Sequence, residues 1–306
     1  MQSQRILMVA LAVCTAVGCA SFGGKCLCES SIREVLTAHL DPSDNGGCAV
    51  IIDLENGAVI QSVAVGGVTA KAPYEVGSVI EPLTVGIALD KGVAKMDTLF
   101  STDCDRVKYP NLPNDGNHKW NAQMSVADAL VKSSNIVIGK LGADVGMDTL
   151  TNDLREFGIT PPTDGVACRM AVGHGVSASV EQIAKAYAVL ANHGRESWGA
   201  KKQIVRAEIA DAVCKELERV TSNEGTAKRA AVEGVKTAGK TATAQRKIDG
   251  VYVTDKFNAT FAGFFPSDAP RYVVVVRYET GVCRFHLGGQ RPAAAFSDIV
   301  RLLSAE

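Results

Sequence analysis

The sequence has no excess of charge of either sign. It contains 32 lysines and arginines against 33 aspartates and glutamates in 306 residues, and no block of like charges stands out. Proteins that bind nucleic acids usually present a concentrated basic surface, and the sequence gives no indication of one. Because 46% of the residues are hydrophobic and 21% are charged, the composition is typical of a globular domain with a substantial core. We therefore predict no nucleic-acid partner.

Closely spaced metal-ligand pairs are also missing. None of the nine cysteines forms a C-x-x-C pair, and Cys26 and Cys28 lie too close in sequence for a zinc site of the usual kind. The histidines without metal-ligand spacing are His118, His174, His193 and His286. We predict no metal site, and the cysteines are interpreted as either buried thiols or members of disulfides.

The sequence lacks an apolar run of comfortable membrane-spanning length, which is about 20 residues. Residues 6–18 are apolar, follow a positively charged start and end in small residues, which is the pattern of a secretory signal peptide. The segment Ala16-Val17-Gly18-Cys19 resembles a bacterial lipobox with Cys19 as the lipidated residue, and simple cleavage or a retained anchor are the alternatives. We predict a signal peptide at 1–19, a tether at 20–30, and an exported, periplasmic domain attached to the membrane by an N-terminal lipid anchor.

The order of the hydrophobic patterns predicts an α+β domain over residues 31–306. The predicted segments are helices 31–40, 78–91, 125–133, 135–143, 147–157, 179–193, 208–219 and 292–303, and strands 48–53, 58–65, 235–246, 258–265 and 271–279. Asn56-Gly57 between the first two strands is a strong hairpin signal. Since strands lie at both ends of the chain, we expect one antiparallel sheet with a helical subdomain inserted at about 82–195.

A phosphate-loop pattern, G-x-x-x-x-G-K-T, occurs at residues 234–241. Such a loop binds phosphates where a buried strand leads into it and a helix follows it. Residues 226–233 do not form an apolar strand pattern, and residues 243–250 have poor helical spacing. We therefore reject a nucleotide site and predict no cofactor.

Three short motifs together carry the functional signal. Ser78-Val-Ile-Glu81 opens a predicted helix, Ser133-Ser134-Asn135 lies between two helices, and Lys240-Thr241-Ala242-Thr243 lies on a predicted strand. In this order and spacing they resemble the S-x-x-K, S-x-N and K-T-G motifs of class B penicillin-binding protein transpeptidase domains. Residues 173–192, 260–272 and 286–290 extend the resemblance, which covers the chain from about residue 31 to its end.

The resemblance implies a five-stranded antiparallel sheet flanked by helices, as in serine β-lactamases, and a peptidoglycan stem peptide or a β-lactam as ligand. It makes Ser78 the nucleophile and Ser133 a proton relay. Asn135 would hold the substrate amide, and Lys240 would anchor the substrate carboxylate. Thr241 and Thr243 would bind substrate on the strand, with the N–H groups of Ser78 and Thr243 forming the oxyanion hole.

Two positions depart from the pattern of the family. Glu81 stands where the motif lysine would be, about one helical turn from Ser78, so that an anion replaces the amine base. A carboxylate near its reference pKa of roughly 4.3 is a poor base for a serine hydroxyl. We expect Glu81 to pair with Lys240, which would make it less basic still. Ala242 replaces the glycine of K-T-G, and we expect its methyl group to crowd acyl substrates.

Each motif alone has a simpler structural interpretation. Ser78 and Glu81 fit a capping box, Ser134-Asn135 fits an ordinary helix cap, and Lys240-Thr241 fits an exposed strand face. The joint order of the motifs and the flanking matches favour the catalytic interpretation. A replacement amine also stays open, and the nearest lysines to the second motif are Lys132 and Lys140.

Three functions follow, in the order in which we favour them. The first is a catalytically impaired transpeptidase relative that binds a stem peptide or a cell-wall synthesis protein. The second is an active serine D,D-transpeptidase or carboxypeptidase that uses Ser78, with Glu81 as an unusual base. The third is a β-lactam-binding or sensing module.

Overall fold

The centre of the fold is a five-stranded antiparallel sheet, in a computed structural model that describes residues 28–116, 118–162, 165–281 and 287–305. The strands are β1 (Gly46–Asp53), β2 (Ala58–Gly66), β3 (Tyr74–Glu75), β4 (Leu99–Ser101), β5 (Gln123–Ser125), β6 (Ser177–Ala178), β7 (Ala238–Ile248), β8 (Val251–Phe265) and β9 (Tyr272–Thr280). The order in the sheet is β2-β1-β9-β8-β7, so the two ends of the chain meet where β1 pairs with β9. The predicted α+β class and the sheet built from both chain ends are confirmed.

The inner strands are apolar and buried because helices cover them. All residues of β1 are buried, as are all residues of β9 after Tyr272. The helices α1 (Glu29–Ala38) and α9 (Arg291–Ser304) pack against the sheet and against each other. Phe296 of α9 lies edge-on to Phe261 of β8, with ring centroids 4.7 Å apart. The first and last helices therefore stabilise the same sheet.

Most of the remaining helices belong to the region inserted between β2 and β7. They are α2 (Glu81–Asp90), α3 (Val126–Lys132), α4 (Asn135–Val145), α5 (Met147–Glu156), α6 (Ala167–Met170), α7 (Val180–Ala191) and α8 (Ala207–Thr221). We predicted a helical subdomain that extends to about residue 195, but α7 packs directly against β1, β8 and β9. Its apolar residues complete the core of the sheet, so the last helix of the insertion belongs structurally to the sheet layer.

Several element boundaries differ from the prediction. The helix α1 begins at Glu29, inside the predicted tether, because its first turn is polar and shows no apolar periodicity. The helix predicted at 78–91 begins as a separate 3-10 turn, Gly77–Ile80, before α2. The strand β8 begins at Val251, because Asp249 and Gly250 adopt positive φ values of 50° and 82° and form a tight hairpin turn.

The rejected phosphate loop is part of the sheet. Its Gly239-Lys240-Thr241 segment lies within β7, which continues to Ile248, so no helix follows the motif. The signal peptide, the lipobox with Cys19 and tether residues 20–27 lie outside the described residues. Within the described ranges, no helix combines the length and apolar character that a membrane span requires.

The cysteines of the described chain segments are free thiols. They are Cys28, Cys48, Cys104, Cys168 and Cys214. Cys283 and His286 lie outside the described residues, so the interpretation of both stays a prediction.

Two helical glycines provide a test of the packing. A Cβ at Gly142 of α4 would lie 2.2 Å from the Cβ of Ala171, whereas a Cβ at Gly86 of α2 would meet only Val213 at 3.9 Å. Alanine normally stabilises a helix interior by about 1 kcal/mol relative to glycine. We expect Gly86→Ala to raise the free energy of unfolding by up to about 1 kcal/mol, and Gly142→Ala to lower it by about 1–3 kcal/mol through overpacking. Urea denaturation measures both, and equal effects of the two variants would contradict the packing described.

Candidate active site

Ser78 lies, half-buried, on the 3-10 turn between β3 and α2, where the turn packs against β7. The preceding Gly77 has a φ of 60°, and a Cβ on Gly173 would lie only 2.1 Å from its carbonyl oxygen. The turn is therefore pressed against the loop that follows α6. The capping-box interpretation is wrong, because Ser78 lies inside the turn, and neither this turn nor α2 has a side-chain cap hydrogen bond at its N-terminus.

Glu81 and Lys240 form a completely buried ion pair. The Nζ atom of Lys240 lies 3.1 Å from Oε2 of Glu81, and both side chains are 0% exposed. The hydroxyl of Ser133 donates to the two carboxylate oxygens at 3.0 and 3.1 Å and accepts from Lys240 at 2.8 Å. Lys240 also donates to the carbonyl of Thr241 at 3.2 Å. The expected proximity of Glu81 and Lys240 is therefore present, and each of the three ammonium protons has an acceptor.

Burial brings the pKa values of these two groups closer together. Removal from water raises the pKa of Glu81, against the opposing effects of Lys240 and of hydrogen bonds from Ser78 and Ser133. Burial also lowers the pKa of Lys240, against the opposing charge of Glu81. Pairing with Lys240 does act to lower the pKa of Glu81, as expected, but desolvation is the larger effect, so the expectation of a less basic carboxylate is wrong.

The second motif forms the junction between α3 and α4. Ser133 ends α3 in the left-handed conformation, with φ 59° and ψ 49°, which is uncommon for a residue other than glycine. Its hydroxyl thereby lies between Glu81 and Lys240. Ser134 caps α4 through its side chain, so the helix-cap interpretation is confirmed for this residue.

Asn135 lines a cavity and is hydrogen-bonded to another residue of its lining. Its Nδ2 group donates to the carbonyl of Asn114 at 3.0 Å. The neighbouring Asp115 accepts hydrogen bonds from Trp120 at 2.8 Å and from the hydroxyl of Ser134 at 2.7 Å. These contacts connect the loop at 111–115 to the beginning of α4.

The two threonines of the third motif have different surroundings. Thr243 lines the cavity, and its hydroxyl accepts a hydrogen bond from the N–H of Gly288 at 3.1 Å. Thr241 does not line this cavity, and its hydroxyl lies 2.7 Å from that of Thr226. The expected substrate contact of Thr241 is therefore not supported, because Thr226 and Gly289 cover this part of the strand.

Neither Ala242 nor the two lysines nearest to the second motif belong to the described cavity lining. Ala242 is 3% exposed and does not line the cavity. Its methyl group lies beside Gly77, since a Cβ on Gly77 would be 3.5 Å away, so the expected crowding of substrate is wrong. Lys140 donates to the carbonyl of Ser101 at 2.7 Å, and Lys132 is exposed. Neither lysine lines the cavity with Ser78.

The cavity beside Ser78 has a volume of about 470 Å³, which is in the range of small-molecule sites. Polar groups dominate its lining. They belong to Glu75, Ser78, Arg106, Asn111, Asn114, Asn135, Arg169, His174, Thr243, Gln245 and Tyr252. Glu81, Ser133 and Lys240 are not part of this lining, so a ligand in the cavity would meet hydroxyl, amide and guanidinium groups rather than the strand lysine.

Glu75, His174 and Tyr252 form a hydrogen-bonded cluster that the sequence analysis missed. Glu75 lies 3.1 Å from Nδ1 of His174, accepts the N–H of Gly175 at 3.0 Å and accepts the hydroxyl of Tyr252 at 2.8 Å. The only signal in the sequence was the position of Glu75 three residues before Ser78. Both Glu75 and Tyr252 also line a neighbouring cavity of about 440 Å³, so the cluster separates two cavities.

The cluster changes the acidity of its members. Burial acts to raise the pKa of Glu75, but the hydrogen bonds from His174, Gly175 and Tyr252 together hold it below its ordinary value. Burial, followed by the hydrogen bond and the charge of Glu75, raises the pKa of Tyr252 to about 12. Elsewhere in the described part of the chain, as here, no three His, Cys, Asp or Glu side chains are arranged to hold a metal ion.

The sheet with its inserted helices, and the serine turn that faces the second and third motifs, define a penicillin-interacting serine transpeptidase fold. The family model for the penicillin binding protein transpeptidase domain matches residues 47–301. The chain therefore belongs to the penicillin-binding protein transpeptidase family.

Curated relatives carry names from cell-wall synthesis. The probable peptidoglycan D,D-transpeptidase PenA of Neisseria flavescens is 27% identical over 254 residues, which cover 74% of this chain and 63% of that protein. The peptidoglycan D,D-transpeptidase FtsI of Escherichia coli strain K12 is 23% identical over 313 residues, covering 88% and 53%. The chain spans between 43% and 63% of the length of these and similar relatives.

Solved structures share the fold. The transpeptidase domain of Burkholderia pseudomallei penicillin-binding protein 3 aligns with a TM-score of 0.73 and 25% identity, covering 90% of this chain and 94% of that one. Penicillin-binding protein 3 of Mycobacterium tuberculosis, complexed with aztreonam, aligns with a TM-score of 0.79 and 22% identity, covering 90% and 76%. The predicted fold and family are confirmed.

The buried ion pair predicts strong coupling between its members. Glu81→Gln leaves Lys240 as an unpaired buried cation, and Lys240→Met leaves Glu81 as an unpaired anion. We expect each single variant to lower the free energy of unfolding by about 3–5 kcal/mol. The double variant should lose much less than the sum, because it leaves no uncompensated charge. A urea-denaturation double-mutant cycle measures this coupling, and strictly additive losses would contradict it.

The pH dependence of stability tests the Glu75 cluster. A carboxyl group whose folded pKa lies below its unfolded value adds stability above the unfolded value and loses it as the pH falls through the folded one. We expect Glu75→Gln to lower the free energy of unfolding by about 1–2 kcal/mol at neutral pH, and the difference from wild type to shrink below about pH 4. Urea denaturation across this range measures the difference, with the exposed Glu34→Gln as control. A difference that grows in acid excludes this role for Glu75.

Proposed function

We propose that this chain is a catalytically impaired transpeptidase-type domain that binds a peptidoglycan stem peptide without efficient acylation of Ser78. The observation that carries the proposal is the buried pair of Glu81 and Lys240, with Nζ and Oε2 3.1 Å apart. An anion occupies the position of the base, and it neutralises the remaining lysine. Both effects act against the acylation of Ser78, which is the first chemical step.

The first consequence concerns the nucleophile. A serine hydroxyl attacks a carbonyl only when a neighbouring base accepts its proton, and the best base has a pKa near the working pH. Burial raises the pKa of the Glu81 carboxylate, but this carboxylate also accepts a hydrogen bond from Ser133 and is the ion-pair partner of Lys240. If Glu81 took the proton of Ser78, Lys240 would become an unpaired buried cation, so Glu81 is a poor acceptor although the two side chains are in contact.

The second consequence concerns the substrate carboxylate and the developing oxyanion. Lys240 directs its three protons to Glu81, Ser133 and the carbonyl of Thr241, and its side chain is fully buried. Its charge is balanced within 3.1 Å by Glu81. The positive field that would attract a carboxylate and stabilise a tetrahedral intermediate is correspondingly reduced.

The residues that would bind a ligand are present even if Ser78 is not efficiently acylated. The cavity of about 470 Å³ contains the side chains of Asn135 and Thr243 beside Ser78. Asn135 uses one amide proton for Asn114, so its second proton and its carbonyl oxygen stay available for a peptide amide. We propose a stem peptide as the main ligand, with β-lactams as a second ligand class.

The cellular setting completes the proposal. The signal pattern at 1–19 supports export to the periplasm, and Cys19 would provide the lipid anchor. Relatives named peptidoglycan D,D-transpeptidase support a role at the cell wall. Proteins of cell-wall synthesis would then be the macromolecular partners.

The second candidate is an active serine D,D-transpeptidase or carboxypeptidase in which Glu81 is the base. The raised pKa of Glu81 and its hydrogen bond with Ser78 favour this candidate, because burial makes the carboxylate more basic. It requires acylation of the wild-type protein and loss of acylation in Glu81→Ala.

Intact-mass spectrometry after incubation with a penicillin separates the two candidates. We expect no adduct on the wild-type protein under conditions in which Glu81→Lys, which restores the S-x-x-K pattern, acquires the mass of one penicillin. Ser78→Ala combined with Glu81→Lys is the matched control and should stay unmodified. Rapid adduct formation on wild-type Ser78 overturns the proposal, and its loss in Glu81→Ala would identify the second candidate.

A further inference from the structure

Two arginines from separate segments line the cavity that contains Ser78. Arg106 follows β4 in the chain, and Arg169 lies on the short helix α6. Both residues are exposed to solvent. Neither residue belongs to one of the three motifs, and neither was expected at the site from the sequence.

The two guanidinium groups are anchored to one loop. The Nε atom of Arg106 donates to the carbonyl of Leu112 at 3.2 Å, and Nε of Arg169 donates to the carbonyl of Asn111 at 3.4 Å. Asn111 has a positive φ of 63°, so the chain turns immediately before these two carbonyls. Anchoring through Nε leaves the outer Nη groups of both arginines available as donors. Among the residues that the structure describes, no acidic side chain forms an ion pair with either arginine.

The cavity lining also contains one carboxylate, that of Glu75. Glu75 accepts hydrogen bonds from Gly175 and Tyr252 and lies 3.1 Å from Nδ1 of His174, so its oxygens are already engaged by other groups. Lys240 is buried with Glu81 and does not line the cavity. The described lining therefore carries two arginine cations against the single carboxylate of Glu75, which leaves a net positive charge.

We propose that Arg106 and Arg169 form a carboxylate-binding subsite, which holds an anionic group of the ligand in place of the neutralised Lys240. Arginine suits this task because its planar donors match both oxygens of a carboxylate. The inference rests on the proposed function, since it assumes that a peptide enters this cavity. In a stem peptide the carboxylate has two sources: the C-terminus, or the side chain of a diamino-dicarboxylic residue.

Calorimetric titration of the purified chain with defined peptides tests the subsite. The first probe is an N-acetylated pentapeptide with meso-diaminopimelate at its third position and D-Ala-D-Ala at its end. The second probe has lysine at the third position, which removes only the side-chain carboxylate. The third keeps diaminopimelate and carries a C-terminal amide. The probe whose affinity no longer depends on the arginines identifies the carboxylate that they bind.

We expect Arg106→Gln and Arg169→Gln each to weaken the first probe several-fold, and the double variant to weaken it about tenfold or more. The wild-type affinity should fall as the salt concentration rises, because the contact is ionic and solvent-accessible. Arg155→Gln is the matched control, because Arg155 is an exposed arginine whose side chain is hydrogen-bonded to Asn152 on its own helix and which does not belong to the described cavity lining. Its affinity should equal that of the wild type. Unchanged thermal unfolding of all variants shows that the comparison concerns folded protein.

The outcomes separate the subsite from the proposed function. If the first probe binds and the double variant binds it as tightly as the wild type, the carboxylate subsite is overturned and the proposed function stands. A loss in Arg155→Gln equal to that in the double variant also overturns the subsite, because it reflects net charge alone. If none of the probes binds the wild type, the proposed function fails, and the subsite fails with it.

Discussion

The buried ion pair between Glu81 and Lys240 is the interaction on which the site depends. Glu81 begins α2, Lys240 lies on β7, and Ser133 at the junction of α3 and α4 is hydrogen-bonded to both. A charge removed from water is tolerated only when a partner and hydrogen bonds compensate it. The three elements must therefore meet in one arrangement, and the left-handed turn at Ser133 is retained within it.

Membership of the family and catalytic competence are separate properties of this chain. The sheet, the inserted helices and the serine turn depend on apolar packing and on glycine contacts, such as that of Gly173 with Gly77. The family fold is present although residue 81 is a carboxylate where the motif pattern has an amine. The exchange of an amine for a carboxylate at that position leaves the framework intact while it alters the electrostatics around Ser78, so the fold alone does not define the reaction.

The sequence predicted the features that arise from local patterns and motif order. Apolar periodicity predicted the main strands and helices, and the order of the motifs predicted that Glu81 and Lys240 would meet. The direction of the Glu81 pKa shift was predicted wrongly, because it depends on complete burial rather than on the neighbouring charge. The positions of Thr241 and Ala242 were also missed, since Thr226, Gly77 and the turn at 288–289 cover them from distant parts of the chain.

The site residues outside the motifs could not be predicted from the sequence pattern, for a related reason. Arg106 and Arg169 converge because two successive carbonyls of one loop anchor them, and a loop conformation of this kind leaves no periodic signal. Glu75 lies three residues before the first motif, but its partners His174 and Tyr252 come from a loop and a hairpin far along the chain. Long-range convergence of single polar side chains has no pattern that sequence spacing can reveal.

The cluster of Glu75, His174 and Tyr252 also bears on the length of ligand that the chain can enclose. Glu75 and Tyr252 line both the cavity beside Ser78 and the second cavity. A ligand that extended from one cavity into the other would pass the hydrogen bond between Tyr252 and Glu75. The space available to a longer ligand thus depends on a few polar contacts between side chains.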